Sequence, residues 1–388
     1  RGLRHVPAHV PAGCLVRLLF ADAEERVLAG IENALIFAPD DWEADFAHSG
    51  AEALEALDRE RYDVVVTEMR MPGVSGLQVI KHARAHHPET VRVVLSAEID
   101  PRLADGAIPL VQEFVPKPCE PDELFAIIDR VHSAARRLND GINGDPVAAL
   151  DPLPAQPALH ARLQESLARN EGGAVLARII EEDLAIASAV MKTANSAFYG
   201  FKRPATTVNE AVIRLGSETV SGIVLNAEVA AWVDPGLANH AEELCSQAAL
   251  VAEALRRVLG DVEHGALVGL LHDVGVLFLA SRFPDEYRTL VEQLGDEAAE
   301  EELERATFGI GHAEVGAALL ELWNADPVVV EATRHHHDPE AVTGDARRIV
   351  DAMMAVEAAL AAGREDEADE ADADEAGADA DQSIRTSP

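Results

Sequence analysis

Short apolar runs alternate with amphipathic stretches over the first 138 residues of the chain. The apolar runs have strand length, and continuous hydrophobic runs of this kind are typical of strands buried on both faces of a parallel sheet. They are Leu15–Phe20, Asp63–Thr67, Val91–Leu95 and the shorter Glu113–Val115. The stretches with helical spacing are Ala51–Arg59, Leu77–Ala85 and Pro121–Leu138. This alternation predicts an α/β doubly wound domain, whose binding site lies at the carboxyl ends of the strands.

Over residues 158–362 the apolar positions follow a helical period almost throughout, which predicts an all-α domain. Ile186, Val190 and Ala194 form an apolar stripe on one predicted helix, and Asn195 stands where that helix should end. We therefore expect Asn195 to cap the helix or to make a buried polar bond.

Glycine and proline concentrate between the two predicted domains, over Asn139–Pro154, which indicates a linker. Near its end the chain has an acidic run of low complexity, Arg364–Asp381, which cannot bury enough surface to fold. The predicted organisation is an N-terminal extension over 1–14, an α/β domain over 15–138 and a linker over 139–150. A helical domain over 151–362 and a disordered acidic tail over 363–388 follow.

The net charge of -37 narrows the range of partners. A surface this negative repels phosphate backbones and anionic headgroups, so we expect no direct binding of nucleic acid or membrane. The three cysteines, Cys14, Cys119 and Cys245, lack the spacing of a disulfide framework or a zinc site. No apolar run reaches the roughly 18 residues that span a bilayer. These features predict a cytoplasmic protein.

Four motifs in the first domain follow one another in a known order. They are LFADAEE at Leu19–Glu25, YDVVVTEMRMPGVSG at Tyr62–Gly76, VRVVLSAE at Val91–Glu98 and FVPKPCEP at Phe114–Pro121. In combination and spacing they resemble the receiver domain of two-component response regulators, over about residues 15–138. The resemblance implies an acidic pocket with two acidic Mg²⁺ ligands, a phosphoryl-accepting aspartate, a serine or threonine, and a lysine.

The positions that match this pocket are Asp22, Ala23, Glu68, Ser96 and Lys117. Two of them depart from the pattern. Glu68 replaces the accepting aspartate, and its extra methylene displaces the carboxylate by an amount that can cost on the order of 100-fold in rate. Ala23 removes a carboxylate from a metal that depends on one or two of them. We therefore expect a degenerate receiver without phosphotransfer and without bound Mg²⁺.

Two interpretations of Glu68 are open at this point. Its fixed negative charge beside Lys117 resembles that of an aspartyl phosphate, which would carry roughly -1.5 to -2, and could hold the domain near an active arrangement. Alternatively, Glu68 and Lys117 form a buried ion pair that supports the scaffold. Both interpretations predict that acetyl phosphate leaves the protein unlabelled.

The second domain carries another set of motifs. They are IIEEDLAIASAVMKTANSAFYG at Ile179–Gly200, VNEAVIRLGSETV at Val208–Val220, GLLHDVGVLFL at Gly269–Leu279, GHAEVGAALLELWNAD at Gly311–Asp326 and HHHDP at His335–Pro339. Together they resemble the HD-related output domain, HDOD, over about residues 151–362. This family is related to metal-dependent HD phosphohydrolases.

The His272-Asp273 pair invites an enzymatic interpretation, because imidazole and carboxylate together can hold a divalent ion and activate water. The other ligands implied by the hydrolases are incomplete. Cys245 stands where an upstream histidine is expected, with His240 nearby but off the same helical face. The later aspartate position falls on Met354, with Asp351 one turn away. Val276 occupies the place of a lysine in the related HD-GYP enzymes.

Four further histidines, His312 and His335–His337, belong to the HDOD pattern itself. With His272 and Asp273, we interpret His312, His336 and His337 as a structural remnant of an HD site. No catalytic residue and no metal are expected; if a metal binds, His272 and Asp273 are its predicted ligands.

The leading prediction is a non-enzymatic signalling adaptor. The resemblance implies an interaction face on the fourth and fifth elements of the receiver, and protein partners such as kinases or enzymes of cyclic-dinucleotide turnover. Trp323 or Phe201 could contribute to docking if exposed, although burial is the default expectation for such side chains. A homodimer is compatible with the sequence. The alternative is a metal-dependent HD-type phosphohydrolase acting on a nucleotide or cyclic dinucleotide, in which Asp273 is essential.

Overall fold

The computed structural model of the chain describes residues 15–39, 41–96, 110–142, 157–195, 203, 205–260, 262–293 and 297–362. The predicted N-terminal extension, most of the predicted linker and the acidic tail lie outside these residues, as do Ser196 and Phe201. Within them, an α/β region is followed by an all-α region, which confirms the predicted fold classes.

The first region is a five-stranded parallel sheet of order β2-β1-β3-β4-β5. Its strands are β1 (Val16–Ala21), β2 (Trp42–Ala47), β3 (Val64–Thr67), β4 (Val91–Ser96) and β5 (Glu113–Pro116). Its helices are α1 (Glu25–Ala34), α2 (Gly50–Arg59), α3 (Gly76–His86) and α4 (Pro121–Gly141). The predicted strands and helices are all present. Helix α4 ends three residues beyond the predicted domain boundary at residue 138.

The inner strands are the ones that a continuous apolar run predicts, because helices cover both faces of the sheet. Every residue of β3 and β4 is buried. Strand β2 was not predicted from the sequence. It lies at an edge of the sheet, and only its end residues Trp42 and Ala47 are buried, so its sequence WEADFA shows no continuous apolar run.

The second region is built from helices alone. They are α5 (Ala158–Ala168), α6 (Gly173–Ile180), α7 (Leu184–Ala194), α8 (Val208–Leu215), α9 (Ser217–Ala230), α10 (Ala238–Leu259), α11 (Gly265–Leu271), α12 (Val274–Arg282), α13 (Pro284–Gln293), α14 (Glu297–Phe308), α15 (His312–Leu322), α16 (Pro327–Arg334) and α17 over residues 344–362. The predicted stripe on α7 is buried. Asn195 ends that helix and exchanges two hydrogen bonds with the backbone of Ala205, as expected.

One stretch of the described chain, Gly265–Arg282, is long and apolar enough to cross a membrane by length and composition. It contains α11 and α12, and 72% of it is buried inside the protein. A core segment of a folded domain passes the same test.

The two regions share an interface in which α4 packs against α15. Arg130 donates to the backbone carbonyl of Glu321 and also pairs with Glu113 of β5 at 2.6 Å. Arg137 pairs with the carboxylate of Glu321. Buried apolar side chains of both regions form one continuous cluster around these contacts. Helix α4 is therefore both a wall of the α/β domain and a docking surface for the helical domain.

The carboxylates that meet α4 have a second arginine partner within the helical domain. Arg334, the last residue of α16, lies 2.6 Å from Glu314 and 3.1 Å from Glu321. Trp323 follows the default expectation of burial and is not available as a docking residue. Its side chain is buried beside α15 and contacts Trp232, with ring centroids 6.1 Å apart.

Candidate functional site

The structure brings together the receiver residues at the carboxyl ends of the parallel strands. Asp22 follows β1, Glu68 follows β3, Ser96 ends β4 and Lys117 follows β5. All four side chains are largely buried, with Asp22 only 3% and Glu68 only 8% exposed. Ala23 lies beside them and is exposed.

Lys117 connects the two carboxylates of this pocket. Its Nζ lies 2.6 Å from Oδ2 of Asp22 and 2.7 Å from Oε2 of Glu68. The other oxygen of Glu68 accepts hydrogen bonds from the Ser96 hydroxyl at 2.7 Å and from the Arg70 amide at 3.1 Å. The other carboxylate oxygen of Asp22, Oδ1, accepts a hydrogen bond from the Glu24 amide at 2.8 Å.

These contacts set the charges in the pocket. Burial alone would raise the pKa of Glu68, but hydrogen bonds from Lys117, Ser96 and the Arg70 amide outweigh it and lower that pKa. Burial would lower the pKa of Lys117, but its bonds to Asp22 and Glu68 raise it. An ion pair therefore fills the pocket near neutral pH. Each carboxylate oxygen is engaged by a protein donor, so a Mg²⁺ ion, which takes such oxygens as ligands, would have to displace these donors.

The histidine and acidic residues of the second domain converge at a different place. His272 and Asp273 form the junction between α11 and α12, His312 begins α15, and His336 and His337 follow α16. Sequence-distant helices thus bring together all five predicted residues. His335, by contrast, lies against Glu331, with its Nε2 3.8 Å from Oε2 of that residue.

Three imidazoles face one another closely. Nε2 of His312 lies 3.0 Å from Nε2 of His337 and 3.3 Å from Nε2 of His336. One donor atom from each of the three lies within 4.8 Å of the others. Oδ1 of Asp273 is 3.7 Å from His312 Nε2 and 3.6 Å from His336 Nε2. We call these four residues the histidine centre.

The Nδ1 atoms of His312 and His336, on the side of each ring away from the centre, determine how the two rings are oriented. Nδ1 of His336 lies 2.7 Å from the carbonyl oxygen of Thr333, and Nδ1 of His312 lies 2.7 Å from Oε2 of Glu304. A carbonyl or an ionised carboxylate only accepts, so both Nδ1 atoms donate. Burial lowers the pKa of His336 well below its usual range, so its Nε2 carries a lone pair that faces the centre. Burial would also lower the pKa of His312, but Glu304 and Asp273 outweigh it and raise that pKa to about 9, so the Nε2 of His312 carries a proton.

His272 lies next to the histidine centre, but its Nε2 contacts two carboxylates. Its Nδ1 donates to the Gly269 carbonyl at 3.0 Å, and its Nε2 faces Asp273 Oδ2 at 3.0 Å and Glu357 Oε1 at 3.2 Å. Burial would lower the pKa of His272, but Asp273 and Glu357 outweigh it and raise that pKa well above its usual range. His272 is therefore held as a cation between two carboxylates, and its contacts orient Asp273 toward the histidine centre.

Sequence reasoning placed the later acidic residue wrongly. Met354 is partly exposed, and Asp351 pairs with Arg347 at 2.8 Å on the surface. The residue that reaches His272 is Glu357, on the same helix α17. It stands three residues after Met354, so a search for acids one turn onward would have found it.

Two more acids and a tyrosine near the centre were missed. Glu304 is fully buried, accepts from the amide and Nδ1 of His312, and also accepts from the Tyr287 hydroxyl at 3.1 Å. Glu300 is an alternative acceptor for the single proton of this hydroxyl, with its Oε1 also 3.1 Å away, and burial raises the pKa of Glu300 to about 7. Glu304 precedes His312 by eight residues across a turn, a spacing that no helical or strand pattern marks.

Cys245 and His240 lie at or near the position of the upstream histidine that the hydrolases use as a metal ligand. Cys245 donates weakly to Asn226 at 3.6 Å, and burial raises the pKa of its thiol to about 11. His240 stacks near Tyr287, with ring centroids 6.0 Å apart, and burial lowers its pKa. Among the described residues, the buried Nε2 of His240 has no hydrogen-bond partner.

The position of His312 depends on a close contact between backbones. A Cβ atom placed on Gly275 would lie 2.0 Å from the carbonyl oxygen of His312 and 2.7 Å from the amide of Gly316. Only glycine therefore allows α12 and α15 to approach this closely. That approach brings His312 to Asp273 at the start of α12.

Comparisons with known proteins agree with this division of the chain. The family profile of the response regulator receiver domain matches residues 18–129, and that of the HDOD domain matches residues 153–339. A solved HDOD domain protein from Geobacter sulfurreducens is 24% identical in sequence and superposes with a TM-score of 0.43. The matched region covers 58% of this chain and 76% of the Geobacter sulfurreducens chain.

Two curated relatives extend the comparison. An uncharacterised protein of Treponema pallidum is 26% identical over 197 residues, which are 49% of this chain and 38% of that protein. The response regulator MprA of Mycobacterium ulcerans is 31% identical over 166 residues, 40% of this chain and 68% of MprA. The chain thus spans well under half of the Treponema pallidum protein. It belongs to the response regulators and carries a receiver domain followed by an HDOD domain.

Proposed function

We propose that this protein is a non-enzymatic signalling adaptor, in which a receiver that does not accept phosphate supports an HDOD domain that binds partner proteins. The observation that carries the proposal is the closed contact set of the receiver pocket. Lys117 holds both Asp22 and Glu68, and Ser96 holds the other oxygen of Glu68. The ion pair occupies the space in which phosphotransfer would have to be arranged.

The Ser96 contact favours the interpretation of Glu68 as a permanent substitute for a phosphoryl group. The Ser96 hydroxyl is turned inward and donates to Glu68. Lys117 compensates the charge of the same side chain at 2.7 Å. Glu68 thus makes the hydrogen bonds to serine and lysine that an added anion would attract.

A continuous set of contacts leads from the receiver to the histidine centre. Arg137 of α4 and Arg334 of α16 share the carboxylate of Glu321. Two residues beyond Arg334 is His336, a member of the centre. In this proposal the receiver fixes the position of α15 and α16, and the outer surface of the HDOD domain presents the binding site for partners.

The proposed partners are other signalling proteins, including kinases and enzymes of cyclic-dinucleotide turnover, and the proposed compartment is the cytoplasm. The described interface between α4 and α15 is internal to one chain. A homodimer would therefore use another surface, which size-exclusion chromatography with light scattering would reveal as twice the chain mass.

Labelling with radioactive acetyl phosphate tests the proposal. The natural chain is expected to remain unlabelled, whereas the double variant Ala23→Asp/Glu68→Asp, which restores the receiver pattern, is expected to gain an acid-labile phosphoryl group in Mg²⁺. The matched control is Ala23→Asp alone, which leaves Glu68 in place. Labelling of the natural chain on Glu68 or Asp22 would overturn the proposal.

The second candidate function is metal-dependent phosphohydrolysis, and the histidine centre is the observation that favours it. Imidazole and carboxylate donors suit divalent transition metals, which can supply activated water when bound. Release of monophosphate or linear dinucleotide in Mn²⁺, Fe²⁺ or Zn²⁺, lost in Asp273→Ala, would establish this function and refute the adaptor as purely non-enzymatic.

A further inference from the structure

We propose that the open edge of β2 is a docking site for an extended, basic segment of a partner protein, which adds to the sheet as a further strand. This inference goes beyond the proposed adaptor function, because it concerns the receiver domain and not the outer surface of the HDOD domain. The two edge strands of the sheet are β2 and β5. Strand β5 carries Glu113, which pairs with Arg130 at the interface with the helical domain, and β2 lies at the opposite end of the sheet.

The main chain of β2 presents hydrogen-bonding groups to the outside. Alternate residues of a strand in a parallel sheet bond to opposite sides. The amide of Asp22 donates to the carbonyl of Ala47 at 3.1 Å, so Ala47 and the other odd-numbered residues of β2 face β1. The N–H and C=O groups of Ala44 and Phe46 therefore point away from β1, where the described part of the chain supplies no further strand. An added strand is the partner that satisfies such groups.

A groove of about 940 Å³ follows this edge. Strand β2 forms its floor, and helices α1 and α2 supply its two sides. Trp42 packs in the buried cluster that includes α1, whereas Ala47 packs in the cluster that includes α2. Because side chains alternate between the faces of a strand, Glu43 and Asp45 lie on the α2 side. An added strand would likewise direct alternate side chains towards α1 and towards α2.

The α1 side of the groove has an exposed apolar surface. Ile36 lines the groove and is 70% exposed, and its neighbour Phe37 is 84% exposed. Both belong to the short 3₁₀ turn that directly follows α1. Covering large apolar side chains with a partner is favourable, because it removes their surface from water. We therefore expect the apolar side chains of the added strand on this side.

The charge of the groove decides which partner fits. Seven carboxylates and two arginines line it, which is a net charge of -5 when His48 is neutral. Arg17 pairs with Asp45 and Glu60, so the other five carboxylates share the groove with a single arginine, Arg59. Lysine or arginine side chains on the added strand would compensate this charge.

The negative charge is a property of this groove and not of every cavity in the acidic chain. A second cavity, between α4 and the loop before α15, is lined by three arginines and two carboxylates. Two copies of the chain joined through β2 would bring two acidic grooves together, and like charges on paired strands are destabilising. The groove therefore favours a basic partner over a second copy.

The test measures fluorescence anisotropy with the full chain and a labelled peptide of alternating lysine and valine, long enough to cover the six residues of β2. The natural chain is expected to bind this peptide and not a peptide of alternating glutamate and valine. A lysine–valine peptide with every amide N-methylated has the same charge and side chains but cannot donate to β2. Its affinity should be lower by about fivefold or more, the effect of losing one net hydrogen bond or more.

Two pairs of variants locate the site. Ala44→Pro removes an outward N–H that makes no bond to β1, which an edge strand tolerates, and it should weaken binding about fivefold or more. Ala44→Val keeps the N–H and should bind as the natural chain does. Glu43→Gln/Glu55→Gln should weaken binding and reduce its dependence on salt. Glu181→Gln/Glu263→Gln, which changes exposed acids of the helical domain, is the matched charge control.

Three outcomes would overturn the proposal. The natural chain could leave the lysine–valine peptide unbound, in which case the charges of β2 serve only to protect an edge strand. Ala44→Pro and Ala44→Val could bind the peptide equally, or the N-methylated peptide could bind as well as its parent. Either result would mean that the peptide adheres to acidic surface without adding a strand. The N-methylated peptide is tested on the natural chain, so this comparison holds even if Ala44→Pro fails to fold.

Discussion

The Nζ atom of Lys117 lies 2.7 Å from Oε2 of Glu68, although helix α3 and strands β4 and β5 separate the two residues along the chain. A lysine and a glutamate that are both largely buried stabilise the fold only as a pair.

Lys117→Met leaves Asp22 and Glu68 close together without a cation. Removing one partner of a buried ion pair costs about 3 kcal/mol or more in the free energy of unfolding. We expect hydrogen–deuterium exchange of the peptides covering β3 and β5 to accelerate strongly in this variant. Lys81→Met, on the exposed face of α3, is the control and should change exchange little. Equal exchange in both variants would refute the stabilising role of the pair.

The stability contributed by Glu68 depends on pH in a defined direction. Its pKa is lower in the folded protein than the ordinary value of 4.5, so its contribution is complete above about pH 4.5 and is lost as the pH falls through the folded-state pKa. The difference in unfolding temperature between the natural chain and Glu68→Gln should therefore be constant from pH 6 to 8 and should shrink in acid. A difference that grows in acid would contradict the lowered pKa.

At alkaline pH, the stabilising effect of the same ion pair is lost when Lys117 loses its proton. Its folded-state pKa lies above the ordinary value of 10.5, so its contribution is complete below that pH and is lost as the pH rises through the folded pKa.

Arg137→Ala should loosen the contact between α4 and α15. Arg137 pairs with Glu321 across the interface, whereas its neighbour Arg136 pairs with Asp140 in its own helix. Amide exchange in the peptides of α15 should therefore increase in Arg137→Ala and remain unchanged in Arg136→Ala. If the two variants behave alike, the interface does not depend on the shared carboxylate.

Gly275→Ala should be strongly destabilising, because its Cβ would overlap the His312 carbonyl and force α12 and α15 apart. Overpacking of this kind typically costs 1–3 kcal/mol, roughly, in the free energy of unfolding. Gly30→Ala is the matched control, since no atom lies within 4 Å of a Cβ at this position in α1. Replacing a helical glycine there should be neutral or stabilising by about 0.5–1 kcal/mol. Urea unfolding of the two variants measures the contrast, and a stable Gly275→Ala would show that the helices have room to separate.

Among the strands, the sequence predicts the uniformly buried ones most readily and misses the edge strand β2. Strands β3 and β4 appear as apolar runs because helices cover both of their faces. Strand β2 lies at the sheet edge, where its charged residues interrupt the apolar run by which a strand would be recognised. The receiver pocket was predictable because each member directly follows a strand end, and parallel strands bring those ends together.

The histidine centre was only partly predictable, because its residues are brought together by the packing of helices and not by the ends of neighbouring strands. His312, His336 and His337 were recognised as parts of a motif, but their mutual distances depend on how α15 and α16 pack. Glu304 has no local pattern that links it to a histidine, whereas Glu357 lies one helical turn beyond the position that the motif indicates, Met354. The pair Arg137–Glu321 spans 184 residues of sequence, so the interface could be found only from the fold.

The Glu68 carboxylate has one consequence for the timing of a signal. An aspartyl phosphate is added by a donor and removed by hydrolysis, so its charge has a lifetime set by enzymes. The charge of Glu68 is made when the chain is synthesised and lasts until the chain is degraded. If Glu68 substitutes for a phosphoryl group, as proposed above, the pocket reports the abundance of its own protein, and a cell can change that report only through expression and proteolysis.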